Sequence, residues 1–194
     1  MEHRIGLVGC AGTGKSVFAE ALAARLEIPF LASKDITCDI LRRDGYDYAS
    51  GQQVEKFLAT PERQQELLVR TVEQQSVPAF VTDRTGIDLG AYAILEMEGA
   101  LNVKKYLNEC RKLCDNYTLL ILCPWLDREI INNQRRTLDP WYQFAVDATQ
   151  RRVVALFDCK MVIVHVEETA QRLEVLDDFI DMAELMVPFQ IEAE

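Results

Sequence analysis

Long apolar runs are missing from this chain of 194 residues. None approaches the roughly 20 consecutive apolar residues that a membrane-spanning helix needs. Met1-Glu2-His3-Arg4 leads straight into a short strand-like segment, without the apolar stretch of a signal peptide. A soluble cytoplasmic protein with no membrane partner is therefore expected. Histidine is scarce, with only His3 and His165 present. Cys110 and Cys114 stand four apart, but no second pair of ligands has zinc spacing, so a structural zinc site is not expected and both histidines read as structural. Basic charge is in deficit: 31 acidic against 21 basic residues leave a formal net charge of −10. That excess disfavours broad binding to nucleic-acid backbones, while leaving room for a local pocket that takes one small anion. Repeats, low-complexity tracts and linkers are lacking too. A single domain over residues 1–194 follows.

What is present is an alternation of strand-like and helix-like segments. Strands are expected at Arg4–Val8, Ile28–Leu31, Ala79–Thr82, Tyr117–Cys123 and Met161–Val166. Helices are expected at Lys15–Leu26, Ile36–Arg43, Val103–Cys114, about Asp88–Glu98 and Thr169–Met186. Two further helices announce their starts by a polar N-cap followed by proline: Thr60-Pro61, running to about Gln75, and Asp139-Pro140, running to about Phe157. Asp44–Gln52 reads as a loop. Five strands alternating with helices imply an α/β fold in three layers, a five-stranded parallel sheet with helices on both faces. The six cysteines, several inside these segments, read as reduced packing thiols.

Gly9-Cys10-Ala11-Gly12-Thr13-Gly14-Lys15-Ser16 fits G-x-x-x-x-G-K-[ST] at every defined position, with a strand before it and a helix after it. The glycines permit dihedrals and close approach that a Cβ would block. Successive N–H groups then cradle phosphates at a helix N-terminus. Gly9, Ala11, Gly12, Thr13, Gly14, Lys15, Ser16 and Val17 are the candidate residues for binding ATP. Lys15 is expected to reach the β- and γ-phosphates, and the Ser16 hydroxyl to ligate Mg²⁺. The motif marks a nucleoside triphosphate site in a P-loop NTPase fold without separating kinase, GTPase and motor ATPase.

Two further segments separate them. Asp83 and Arg84 lie just past the carboxyl end of the third strand, the edge where open α/β sheets bind ligands. An acid there orients Mg²⁺ or takes a proton, and arginine grips phosphate with a matching fork. Asp83-Arg84, Asp88 and Ala91-Tyr92 together resemble the D-R-x-x-x-[SD]-x-x-A-Y stretch of thymidylate-kinase-like and deoxynucleoside-kinase-like enzymes. The chain resembles more closely still the small P-loop kinases, frequent in phages, with a nicotinamide-riboside-kinase-like, AAA-type ATPase domain. That resemblance implies an arginine-bearing lid at about residues 126–140, with Arg128, Arg135 and Arg136 closing over the transferring phosphoryl group. It also implies acceptor contacts from Asp35, Arg84 and Asp88, catalysis by Lys15, Asp83, Arg84 and the lid arginines, and metal binding by Ser16 and Asp83. Family members are often homodimers. Arg42, Arg43, Tyr46 and Tyr48 fall where an acceptor nucleoside would face, or form a loop packed by its own tyrosines.

No acidic pair ends the fourth strand, where Leu122-Cys123-Pro124-Trp125 stands, and no N-K-x-D reads guanine. Both absences point away from motor ATPases and GTPases. The expectation is ATP-dependent transfer of the γ-phosphoryl group to a nucleoside or deoxynucleoside monophosphate. The alternative acceptor is a 5-hydroxymethylpyrimidine in DNA, approached along Arg128, Arg135, Arg136, Arg151 and Arg152. A non-catalytic ATP-binding regulator is the third reading.

Overall fold

A computed structural model of the chain describes residues 3–46, 60–96, 102–125, 139–166 and 168–185. Among them run β1 (Arg4–Val8), α1 (Lys15–Arg25), β2 (Phe30–Leu31), α2 (Ser33–Arg43), α3 (Pro61–Gln74) and β3 (Phe80–Thr82). These are followed by α4 (Gly86–Glu96), α5 (Val103–Cys114), β4 (Leu119–Leu122), α6 (Pro140–Phe157), β5 (Val162–Ile163) and α7 (Thr169–Leu185). The strands form one sheet in the order β2-β3-β1-β4-β5, every pair parallel. The expected three-layer α/β architecture is thus what the chain adopts. Among the described residues no helix is long and apolar enough to cross a membrane.

The period of two along each strand splits the core between the sheet's faces. Ile121 joins Ile5, Leu7 and Val81 against Phe18, Leu22 and Leu176 of α1 and α7. Its neighbours Leu120 and Leu122 point the other way, into Ile87, Leu89, Tyr106 and Phe157 of α4, α5 and α6. Each of these large side chains is nearly or fully buried, worth about 1.5–3 kcal/mol apiece against exposure. Helices α4 and α5 meet backbone to backbone: a Cβ on Gly86 would come within 2.0 Å of the Cys110 carbonyl oxygen and 2.8 Å of the Cys114 sulfur.

Most element boundaries fall within three residues of those expected. Edge strands β2 and β5 are shorter than their apolar runs, because an outer strand has one neighbour to pair with and its ends leave the ladder. Helix α2 begins at Ser33, ahead of Ile36, for a long-range reason: the Asp83 carboxylate accepts the Ser33 N–H at 2.9 Å and caps the helix from another strand. Thr60 occupies the N-cap of α3 with Pro61 behind it, but its hydroxyl makes no cap bond. Asp139 does cap α6, accepting from Trp141 N at 2.9 Å, and Asn102 caps α5 through Lys105 N at 3.1 Å. All six cysteines are free thiols, as expected.

Candidate active site

The loop between β1 and α1 takes its shape from three glycines with positive φ, Gly9 at 152°, Gly12 at 88° and Gly14 at 79°. Only glycine suits these positions, and Gly9 is doubly constrained: a Cβ there would lie 2.4 Å from the carbonyl oxygen of Cys123. The Thr13 hydroxyl donates to Cys10 O at 3.1 Å and tightens the turn from within. No acid stands in the first turn of α1, so its N–H groups and dipole are left for an anion. Lys15 curls over the loop, its Nζ donating to Cys10 O at 3.3 Å. Val17 is exposed at the mouth.

The loop is held by neighbours that the sequence did not announce. Ala11 N donates to the Gln143 side-chain carbonyl of α6 at 3.0 Å, and Gly9 N donates to Asp88 at 3.4 Å. Asp88, expected at the acceptor, is instead 3% exposed inside the molecule. Its carboxylate accepts from Thr85 N and Thr85 Oγ1, both at 2.8 Å, and from Gln150 Nε2 at 3.0 Å. Burial pushes this carboxyl above its ordinary value, and the charge of Lys15 and the Thr85 hydroxyl only partly oppose it. With four donors around it Asp88 fastens α4 and α6 to the phosphate loop, and its carboxylate is spent inside the fold.

Asp83 stands at the carboxyl edge of β3, beside β1. One oxygen accepts from Ser16 Oγ at 2.5 Å, the other from Ser33 N. Burial pushes its pKa up, but the Ser16 hydroxyl, the Ser33 amide and the Lys15 charge outweigh that and hold it below the ordinary value. Here the reading of strand four needs correcting. The acid that meets the phosphate-loop hydroxyl belongs to β3, which the strand order places next to β1, so an empty end of β4 says nothing against motor ATPases. The residues fit a divalent cation of the Mg²⁺ kind: hydroxyl and carboxylate oxygens side by side beneath a phosphate cradle. Such an ion takes one or two protein oxygens and completes its shell with phosphate and water. Among the described residues no group of three or more His, Cys, Asp or Glu side chains could hold a metal ion.

Arg84 is half-buried with its Cζ 5.6 Å from the centre of the Tyr92 ring, and its Nη1 is buried with no partner among the described residues. Burial pushes the Tyr92 hydroxyl up to about 12, so the ring stays neutral beneath the cation. The Arg84 backbone is fixed too, its carbonyl accepting from Gln75 Nε2 at 3.1 Å while Tyr117 donates to Gln75 Oε1 at 2.6 Å. An anchored arginine with an unspent donor, one residue on from Asp83, is suited to a phosphate oxygen.

Of the other expected residues, Asp35 is exposed in the first turn of α2, the helix end tied to Asp83. Arg43 forms a two-pronged pair with Glu66 at 2.6 and 2.9 Å, Arg42 meets Asp39 at 3.4 Å, and Arg63 lies 4.6 Å over Tyr46. That network ties α2 to α3 and packs Tyr46. Arg128, Arg135, Arg136 and Tyr48 lie outside the described residues. Trp125, which precedes the expected lid, is pinned to α6: its N donates to Asp147 at 2.9 Å, and Asp147 also pairs with Arg151 at 2.7 Å. Arg151 and Arg152 are exposed on that helix.

A family model described as an AAA domain matches residues 4–172. No curated protein matches the chain in sequence. In fold the chain is similar to the NadR protein crystallised in complex with NR, with a TM-score of 0.65 at 16% identity over 91% of this chain and 51% of NadR. It therefore spans about half of that protein's length. It is similar to deoxyadenosine kinase from M. mycoides with bound dATP, with a TM-score of 0.63 at 13% identity over 93% and 100% of the two chains. A third similarity is to the YorR protein of Bacillus subtilis in complex with phosphorylated GDP, with a TM-score of 0.55, 15% identity, and 93% and 95% covered. At these identities the likeness is one of fold.

Proposed function

The chain belongs to the AAA domain family, and from that premise we propose that it is an ATP-dependent kinase whose acceptor is a nucleoside or deoxynucleoside monophosphate. The observation that carries the reading is the Ser16–Asp83 contact of 2.5 Å, which joins the phosphate loop to the one strand edge that also presents Arg84. Fold similarity to a deoxyadenosine kinase supports the acceptor class.

In this reading the loop amides and the N-terminus of α1 bind the triphosphate, and Lys15 leaves Cys10 O to reach its β,γ end. Ser16 and Asp83 would hold Mg²⁺, which when bound offsets phosphate charge. The acceptor oxygen forms its bond to the γ-phosphorus as the β–γ bridge breaks, and ADP leaves with the electron pair; a nucleoside hydroxyl releases its proton to solvent in the step, whereas a monophosphate oxygen has none to lose. Asp83, held low in pKa, is a weak base and a good charge partner, so its work is orientation. Arg84 supplies its free N–H edge to charge that develops on the transferring group. Asp35, exposed in the first turn of the helix that Asp83 caps, would face the acceptor. Arg128, Arg135 and Arg136 would close over the group and exclude water.

The test is transfer of radiolabelled γ-phosphate from Mg·ATP to a panel of acceptors. The panel holds nucleosides, deoxynucleoside monophosphates, nicotinamide riboside, and DNA with and without 5-hydroxymethylpyrimidines. Label on a free nucleoside or monophosphate is expected. Label on DNA alone would replace this acceptor by the DNA base, and ATP binding with label on nothing would favour a regulator.

A further inference from the structure

The phosphate loop is not idle. The N–H of Ala11, one of the donors a triphosphate needs, is already spent on the side-chain carbonyl of Gln143 at 3.0 Å. Gln143 is 2% exposed and lies in the first turn of α6, between the Asp139 cap and the Asp147 anchor of Trp125. Its Oε1 therefore stands where an anion's oxygen would, an uncharged stand-in within the protein. Around it the same turn presents Trp141 and Phe144, both exposed, with ring centres 6.4 Å apart, and Phe144 lies 5.5 Å from Trp125. Trp125 and Trp141 are the chain's two tryptophans.

We propose that Gln143 is a positioning residue that senses the nucleotide. A phosphate oxygen displaces its carbonyl from Ala11 N–H, and the release is passed to the first turn of α6, where Trp141 and Phe144 stand. The energetic basis is simple competition. An amide oxygen and a phosphate oxygen want the same donor, and the charged acceptor makes the stronger bond. Binding then carries a small fixed cost, the broken Gln143 bond, and in return couples loop occupancy to the first turn of α6. The inference rests on the reading of the loop as a nucleoside triphosphate site, not on which acceptor is phosphorylated.

Two near-isosteric substitutions are expected to move affinity in opposite directions. Gln143→Met removes the competing acceptor, so Mg·ATP should bind about two- to tenfold tighter. Gln143→Glu keeps the acceptor and adds a charge facing the phosphates, so binding should weaken roughly tenfold or more. Tryptophan fluorescence supplies the second readout: ATP should change the wild-type emission, and Gln143→Met should lose most of that change while still binding. If Gln143→Met proves unstable by circular dichroism, Gln143→Asn, one methylene too short to reach Ala11, replaces it with the same expectation. Weakening by both substitutions, or an unchanged fluorescence response in Gln143→Met, would overturn the proposal. A wild type that binds no ATP at all would instead overturn the reading of the loop.

Discussion

Replacing Asp83 by asparagine separates what this residue does for the fold from what it does for transfer. The carboxylate serves two donors, Ser16 Oγ and Ser33 N. Asparagine can keep both in kind, its oxygen facing the Ser33 amide and its NH₂ facing the serine oxygen, which accepts. What is lost is charge assistance, on the order of 1 kcal/mol per contact, or about 2 kcal/mol for the two. Relief from burying a charge offsets part of that, so a net loss of about 1–2 kcal/mol is expected. For a chain of this size that lowers the melting temperature by roughly 2–8 °C. The pH dependence has a definite sign. Because the folded carboxyl titrates below its ordinary value, its stabilisation is full above about pH 4 and disappears as pH falls through the folded pKa. The stability gap between wild type and Asp83→Asn should therefore close in acid. Catalysis loses the anionic oxygen beside Ser16, and kcat should fall about 10²- to 10³-fold while ATP affinity changes by less than about tenfold. Urea unfolding from pH 3 to 7 and steady-state kinetics check both halves. A kcat within about threefold of wild type, or equal losses in rate and affinity, would refute the assignment.

Gly86→Ala should destabilise the chain by about 1–3 kcal/mol or more, since the new Cβ meets a backbone oxygen at 2.0 Å and α4 cannot yield without leaving α5. Chemical unfolding reads the loss, and an unchanged midpoint would contradict the close helix contact. Cysteine labelling at pH 8 should be uneven. The Cys114 side chain donates toward Cys159 and holds its thiol below the ordinary value, whereas burial lifts Cys10 to about 11 and Cys110 to about 12. More thiolate means faster alkylation, so peptide mapping after brief iodoacetamide treatment should find Cys159 modified ahead of Cys10 and Cys110.

The phosphate loop was legible because its chemistry is local: eight consecutive residues between a strand and a helix specify the turn, the donors and the lysine. Strand and helix positions were legible for the same reason, through periodicity and caps such as Asp139-Pro140. What escaped was set by neighbours distant in sequence. Nothing near Asp83 says that β3 lies beside β1, yet that adjacency brings its carboxylate onto Ser16 and Ser33. Gln143 and Asp147 look like ordinary helix residues until α6 is laid beside the loop and the end of β4. Asp88 matched a motif position, but its four donors come from three separate segments. Its place in the core could be known only after folding.

The central claim is that the loop around Lys15 and Ser16 carries γ-phosphoryl transfer. It is tested most directly by comparing labelled phosphate transfer in the wild type and Lys15→Ala, with circular dichroism of both. In the apo protein Lys15 gives up a single bond to Cys10 O, so the account predicts an unchanged spectrum and transfer reduced to background. Undiminished transfer by a folded Lys15→Ala protein would contradict it.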